Sequence, residues 1–339
     1  MRPLRVLALM HAHLVPPEDV SGYDVREVDW KMEFDVCETL RSMGHQVFPL
    51  GVEDDLGVIR KAVAEWKPHI VFNLLESFHG VGVFDKNVVS FLELLRVPYT
   101  GCNPRGLLLA RDKALSKTLL AYHRIPVPDF IVVRMGRRVR RPKRLAFPLI
   151  VKSLTQEASI GISRASVVDD DERLRERVRF IHESIGTDAI VERFVEGREM
   201  YVGIVGNQRL EVFPVWELRW EKMPEDGRLI MTDRAKWNTN YQKKYGVTTG
   251  PADLSAEEAA RIQHLCKRVY RTLDLSGYAR LDLRMDPAGR VHVLEANPNP
   301  QLAYGEDFAE SAEHGGVSYE QLLQKILNCG LTWRPERLG

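Results

Sequence analysis

Gly277–Pro300, GYARLDLRMDPAGRVHVLEANPNP, reads as two β segments joined by a turn at Asp286-Pro287-Ala288-Gly289. Side chains alternate between the faces of a strand, so Arg280, Asp282 and Arg284 share one face, and Glu295 and Asn297 share a face of the partner strand. Two carboxylates and an amide therefore converge. Hard oxygen donors of this kind suit magnesium, which takes a few protein oxygens and keeps its other positions for water and nucleotide phosphates. Arg280, two residues before Asp282, falls where positive charge would stabilise an oxyanion. Residues on a hairpin are by default solvated, but Asn297-Pro298-Asn299-Pro300 ends the second strand as if to hold a loop over a site.

Two stretches upstream carry the same kind of chemistry. In FPLIVKSLTQEASIGIS (Phe147–Ser163) an apolar strand delivers Lys152 inward, and Ala158, Ser159 and Gly161 are small enough for backbone amides to wrap phosphates. A surface turn with a snorkelling lysine would read much the same. In AIVERFVEGREMYVGIVG (Ala189–Gly206), Glu192 and Glu199 bracket a turn between two strands, and taken singly either is an ordinary solvated glutamate.

The first third has a different grammar. LRVLALM, QVFPL and HIVFNLL are apolar strand-like runs that alternate with amphipathic helical patterns, which predicts a doubly wound α/β domain over residues 1–105. A central α+β lobe (106–200) and a C-terminal antiparallel-sheet lobe (201–339) follow, so the fold class is α/β and α+β. Between Arg134 and Lys152, Arg137, Arg138, Arg140, Arg141, Lys143 and Arg144 complete a run of eight cations in nineteen residues. No aromatic residue interleaves with them before Phe147, so a solvated hairpin is expected rather than a nucleic-acid surface.

Composition narrows the class further. With 339 residues and 44% hydrophobic content the chain suits two or three subdomains. Forty-eight basic against 47 acidic residues give no global field for nucleic acid or anionic lipid. Cys37, Cys102, Cys266 and Cys329 lie far apart, as free thiols of a reducing compartment do. The apolar run Val6–Met10 is too short for a signal peptide and no stretch reaches membrane-span length, so a cytoplasmic protein is expected.

The ordered set Lys113, Lys152, the small-residue loop, Glu192, Glu199, Arg280, Asp282, Glu295 and Asn297 resembles the ATP-grasp superfamily, and within it the D-alanine–D-alanine ligases. VFNLLESFHG (Val71–Gly80), LELLRVPYTG (Leu92–Gly101) and ARDKALSKTLL (Ala110–Leu120) are similar to further segments of those ligases, so the resemblance spans nearly the whole chain. It implies an ATP-grasp fold and an ATP-dependent carboxylate–amine ligase acting through an acyl phosphate. By the same resemblance Lys113, Lys152, Ser159 and Gly161 contact the nucleotide phosphates. Glu192 and the backbone of Phe194 and Val195 hold the adenine, and Glu199 takes the ribose. Asp282, Glu295 and Asn297 hold two magnesium ions, for which manganese can substitute, and Arg280 steadies the transferred phosphate. YQKKYG (Tyr241–Gly246) is similar to the end of a mobile loop that brings Lys244 and Tyr245 over the substrates. Small-molecule carboxylate and amine substrates are implied, and a homodimer is common among such ligases.

Three segments depart from the ligase pattern, all on the substrate side. His11–Asp29 replaces a glycine-rich loop whose glutamate binds the first amino group, with Glu27 as the stand-in. Ala158 replaces one serine of a pair, leaving Ser159. PNPQLAYGEDF (Pro298–Phe308) places Glu306 near the position of a serine that binds the second carboxylate. A carboxylate there repels a carboxylate, so Glu306 or Asp307 is expected to meet an amine-bearing acceptor. A ligase for another acid, an ATP-grasp small-molecule kinase and a nucleotide-binding scaffold without turnover remain open at this point.

Overall fold

The computed structural model describes residues 2–156, 161–222 and 238–335. Ala158 and Ser159 of the expected phosphate loop lie outside the described residues. Among the described residues the strands form three sheets. The first is parallel, in the order β2 (Gln46–Val52), β1 (Arg5–His11), β3 (Ile70–Asn73). Helices α1 (Lys31–Ser42), α2 (Leu56–Trp66) and α3 (Asp85–Leu94) connect and flank it. Fully buried strands need apolar residues on both faces, and Val6–Met10 and Ile70–Phe72 have no measurable exposure.

α4 (Pro104–Arg111) and α5 (Lys113–Tyr122) follow, capped by Asn103 and Asp112, whose side chains accept from the first free helical N–H groups. The central lobe is a four-stranded antiparallel sheet, ordered β4 (Phe130–Val133), β7 (Ala189–Arg193), β5 (Leu149–Ser153), β6 (Val167–Val168), and covered by α6 (Asp171–Phe180). β4 and β5 each pair with β7, not with each other. The basic run between them is thus an irregular connection, not the expected hairpin. The strand that fills the gap comes from some forty residues later, and short-range pattern cannot show it.

The third sheet runs β11 (Val247–Pro251), β10 (Trp216–Trp220), β8 (Arg198–Val205), β12 (Tyr278–Met285), β13 (Val291–Pro298), with β9 (Glu211–Val212) also on β8. α7 (Thr239–Tyr245), α8 (Ala256–Thr272), α9 (Asp307–His314) and α10 (Tyr319–Thr332) complete the described elements. Leu322, Leu323, Ile326 and Leu327 of α10 share one core with Val6, Ala8, Ile70 and Phe72 of the first sheet. No described helix is long and apolar enough to cross a membrane.

The β12–β13 hairpin forms as the sequence predicts, closed by Asp286, whose carboxylate accepts from the N–H groups of Ala288 and Arg290 at 3.0 Å. Its far end is stapled to the first domain. Asn299 Oδ1 accepts from the Cys102 N–H at 2.8 Å, and the Asn103 N–H donates to Ser276 Oγ at 2.9 Å. Gly277 (φ +72°) lies so close to this joint that a Cβ would stand 2.4 Å from the Gly101 carbonyl oxygen. Gly277→Ala combines a left-handed backbone with a clash against main chain, and is expected to cost roughly 2–4 kcal/mol in urea unfolding; an unshifted midpoint would show that the two domains are not joined there.

Candidate active site

Register places Asp282 opposite Glu295 and Arg280 opposite Asn297, as alternation requires. Between Asp282 and Leu283 the ladder slips by one residue, and Leu294 is the extra residue of this bulge. Its carbonyl accepts from the Lys117 ammonium, which reaches over from α5. Lys117 Nζ also lies 3.1 Å from Glu192 Oε1, and Lys152 Nζ lies 3.1 Å from Glu192 Oε2. Lys117 and Glu192 side chains are each only 1% exposed, so this is a buried two-cation, one-anion group rather than a surface pair.

The electrostatics follow from that count. Burial alone would raise the Glu192 pKa, but the charges of Lys117 and Lys152 more than reverse it, to about 2. Burial depresses Lys117, with Glu192 opposing, whereas for Lys152 the carboxylates Glu192 and Glu295 outweigh burial and raise it. The two lysines thus shift in opposite senses around one carboxylate. Two flanking ammonium groups keep Glu192 ionised.

Lys113 Nζ lies 4.0 Å from Glu295 Oε2 and donates to the Gln156 carbonyl at 2.6 Å. Burial works against the Glu295 charge, but Lys113, Lys152 and Lys117 together hold its carboxyl below the ordinary value. Arg280 grips Asp282 with a two-pronged fork, 2.8 and 3.0 Å, and Asn297 Nδ2 donates to Asp282 Oδ2 at 3.0 Å. Even so, burial holds the Asp282 pKa up at about 6, with Glu295 and Glu199 adding to the rise. Burial is the main cause of that rise, so a cation bound beside the carboxylate would favour its ionised form. Asp282, Glu295 and Asn297 fit magnesium in donor chemistry, although among the described residues no three His, Cys, Asp or Glu side chains form a metal cluster by themselves.

Glu199 is oriented from two sides: Arg284 Nη2 donates to Oε2 at 3.0 Å and the Tyr201 hydroxyl to Oε1 at 3.1 Å. Phe194 and Val195 are buried, and the Arg284 guanidinium stands 5.1 Å from the Phe194 ring and donates to the Val195 carbonyl. Gly161 (φ +72°) has its carbonyl held by buried Arg177, which also donates to Ser166 Oγ at 2.8 Å. Lys244 and Tyr245 end α7, where Tyr245 packs on Tyr241 and the Arg164 guanidinium lies 5.5 Å from its ring. Glu306 is the N-cap of α9, and Asp307 in its first turn accepts from Thr249 Oγ1 at 2.6 Å. Glu27 sits exposed in a turn, its N–H on the Asp24 carbonyl, and is not brought to this cluster.

Sequence reasoning gave no role to Lys117, Arg284, Tyr201 or Arg177. Lys117 stands in the quoted Ala110–Leu120 segment one helical turn after Lys113, a spacing that puts both on one face. Arg284 was already on the right face of β12. Nothing in the sequence marks Arg177.

A family model described as the D-ala D-ala ligase C-terminus matches residues 119–328. A D-alanine--D-alanine ligase from Bordetella avium is 30% identical over 310 residues, covering 89% of this chain and 90% of that protein. An uncharacterized protein, y4sG, from Sinorhizobium fredii is 32% identical over 300 residues, covering 86% and 85%. Among solved structures, the D-alanine--D-alanine ligase from Bacillus anthracis complexed with ATP has a TM-score of 0.75 at 21% identity over 97% of each chain. The matching architecture is that of an ATP-grasp fold, and the family model and ligase relatives make this an ATP-dependent ligase that forms a C–N bond. The chain belongs to the D-alanine–D-alanine ligase family.

Two outcomes test the buried group. Lys117→Met leaves Glu192 with one cation and is expected to destabilise by roughly 3 kcal/mol, with Lys117→Met/Glu192→Gln recovering part of the loss in a double-mutant cycle; strict additivity would refute the coupling. Because the Glu192 pKa falls from 4.5 to about 2 on folding, its contribution is complete above pH 4.5 and disappears as pH drops through about 2. Urea melts of Glu192→Gln should therefore show a flatter acid limb between those values than the parent protein; parallel limbs would contradict the assignment.

Proposed function

We propose that this enzyme activates a small amino-acid carboxylate as an acyl phosphate at the expense of ATP and joins it to an amine. D-Alanine, named for its relatives, is the first acid to be expected. The supporting observation is the pairing of Asp282 with Glu295 and of Arg280 with Asn297 beneath Lys113, Lys117 and Lys152. Lys113 and Lys152 hold nucleotide phosphates, which Ser159 and Gly161 also contact by the resemblance to the family. The backbone of Phe194 and Val195 lines the adenine. Glu192 fixes the two lysines and presents its edge to the base, while Glu199, held by Arg284 and Tyr201, takes the ribose.

Asp282, Glu295 and Asn297 would hold two magnesium ions, or manganese in their place, which neutralise phosphate charge when bound. Arg280 lends its guanidinium to the transferred phosphoryl group and to the oxyanion of the tetrahedral intermediate. Lys244 and Tyr245 close over the substrates and exclude water, and the amine, held beside the acyl phosphate, attacks with little entropic cost.

An acceptor that presents an amine or cation is favoured by one feature. Glu306 stands at the N-cap position of α9, with no side-chain capping bond, and Asp307 occupies the first turn, so two acids lie at the positive end of this helix. The Asp307 charge also reaches Arg280 and Tyr201, which places it on the active-site side. ADP release across D- and L-amino acids and small amines, with product masses, decides the reading: a ligase gives the sum of acid and amine less water. A phosphoester mass would replace it with the kinase alternative, and efficient D-alanyl-D-alanine formation from D-alanine alone would refute the cationic acceptor. Asp282→Asn is expected to lower turnover at least about 100-fold while nucleotide affinity changes little; unaltered turnover would remove Asp282 from the metal set.

A further inference from the structure

A second cavity, of about 290 Å³, lies where the β7–β8 connection, the start of β5 and the β12–β13 turn meet. Pro148, Phe194, Val195 and Pro287 give it apolar walls, and Arg193 and Arg290 give it cations. The turn is four residues along β12 from Asp282, roughly 13 Å, so this is not the magnesium end of the hairpin. The two arginines are in different states. Arg290 Nε donates to Asp286 Oδ2 at 2.8 Å, and that carboxylate is further satisfied by the turn amides.

Arg193 has its Nε buried without a hydrogen-bond partner, and among the described residues no carboxylate pairs with its guanidinium. Beside it His292, 9% exposed, has both ring nitrogens free of hydrogen bonds, its nearest charged neighbour being Asp286 at 3.7 Å. Glu196 on the rim is exposed and makes no ion pair among the described residues. The Arg193 guanidinium thus stands at the wall of the cavity with no ion pair among the described residues, on the same rim as the Glu196 carboxylate.

We propose that this cavity binds a small monocarboxylate with an apolar body, its two oxygens on the Arg193 fork and its body against the proline and phenylalanine walls. A planar guanidinium matches a carboxylate pairwise, and a lining in which Asp286 and Glu196 offset the two arginines suits a monoanion better than a phosphate dianion. One wall is the Phe194–Val195 segment that, on the reading above, lines the adenine from its other side. Occupancy is therefore coupled to nucleotide affinity, and the coupling is reciprocal.

Titration calorimetry of the nucleotide-free protein with benzoate, acetate and inorganic phosphate tests the site without reference to ligase activity. One saturable benzoate site, weaker acetate and no phosphate are expected, with R193Q lowering benzoate affinity at least tenfold and R290Q much less. No saturable carboxylate binding, a preference for phosphate, or binding unchanged in R193Q would overturn the site. Saturating benzoate should shift the affinity for a non-hydrolysable ATP analogue severalfold in the parent protein and not in R193Q. Equal analogue affinities with and without benzoate would overturn the coupling while leaving the ligase reading untouched.

Discussion

An isolated ammonium or carboxylate taken out of water costs several kcal/mol even after relaxation, and the floor of this cleft contains both kinds. Glu192, Lys117 and Lys152 come from β7, α5 and β5, and each is tolerable only because the other two are present. Lys117 also reaches the carbonyl freed by the bulge at Leu294, so the same group that satisfies the central lobe anchors the catalytic hairpin. The central sheet and the β12–β13 hairpin are therefore tied together through Lys117. Charges fixed in advance in a place that excludes water need little reorganisation when phosphate charge develops, which is where such sites gain most of their effect.

What the sequence disclosed of this arrangement follows from periodicity. Asp282, Glu295 and Asn297 were legible because strand alternation is strict and the turn Asp286–Gly289 fixes the pairing within a residue or two. Lys117 was not, because its partner is a carbonyl exposed by a one-residue slip in another element, and a bulge leaves no mark in hydrophobic pattern. Arg177 supports Gly161 from across a helix face and reads, in sequence, as one more charge on α6. The basic run 134–144 was read as a hairpin because two β segments flank it. The gap between them is filled by β7, whose position is decided by the crossover rather than by local residues.

The acceptor side answers to a different part of the chain. The segment that carries Glu306 and Asp307 is gripped by α1: Lys31 Nζ bridges Asp35 at 2.7 Å and the Tyr304 carbonyl at 2.5 Å. Asp35 in turn accepts from the Tyr304 N–H at 2.9 Å, and the Tyr319 hydroxyl of α10 holds the Leu302 carbonyl at 2.7 Å. None of these contacts involves Lys113, Lys152, Glu192 or the hairpin carboxylates. On the proposed reading, substitutions in α1 or in Leu302–Gly305 would shift Glu306 and Asp307 without touching the Glu192–Lys117–Lys152 group directly. Two of the departures from the family pattern noted in the sequence, His11–Asp29 and Pro298–Phe308, lie outside the buried lysine–glutamate group and meet the β12–β13 hairpin only at its last residue, Pro298, and the third is Ala158. Selection for a new acceptor within an unchanged phosphoryl-transfer apparatus would leave the first two so placed, since specificity is a difference of affinities and needs only the groups that touch the acceptor to change.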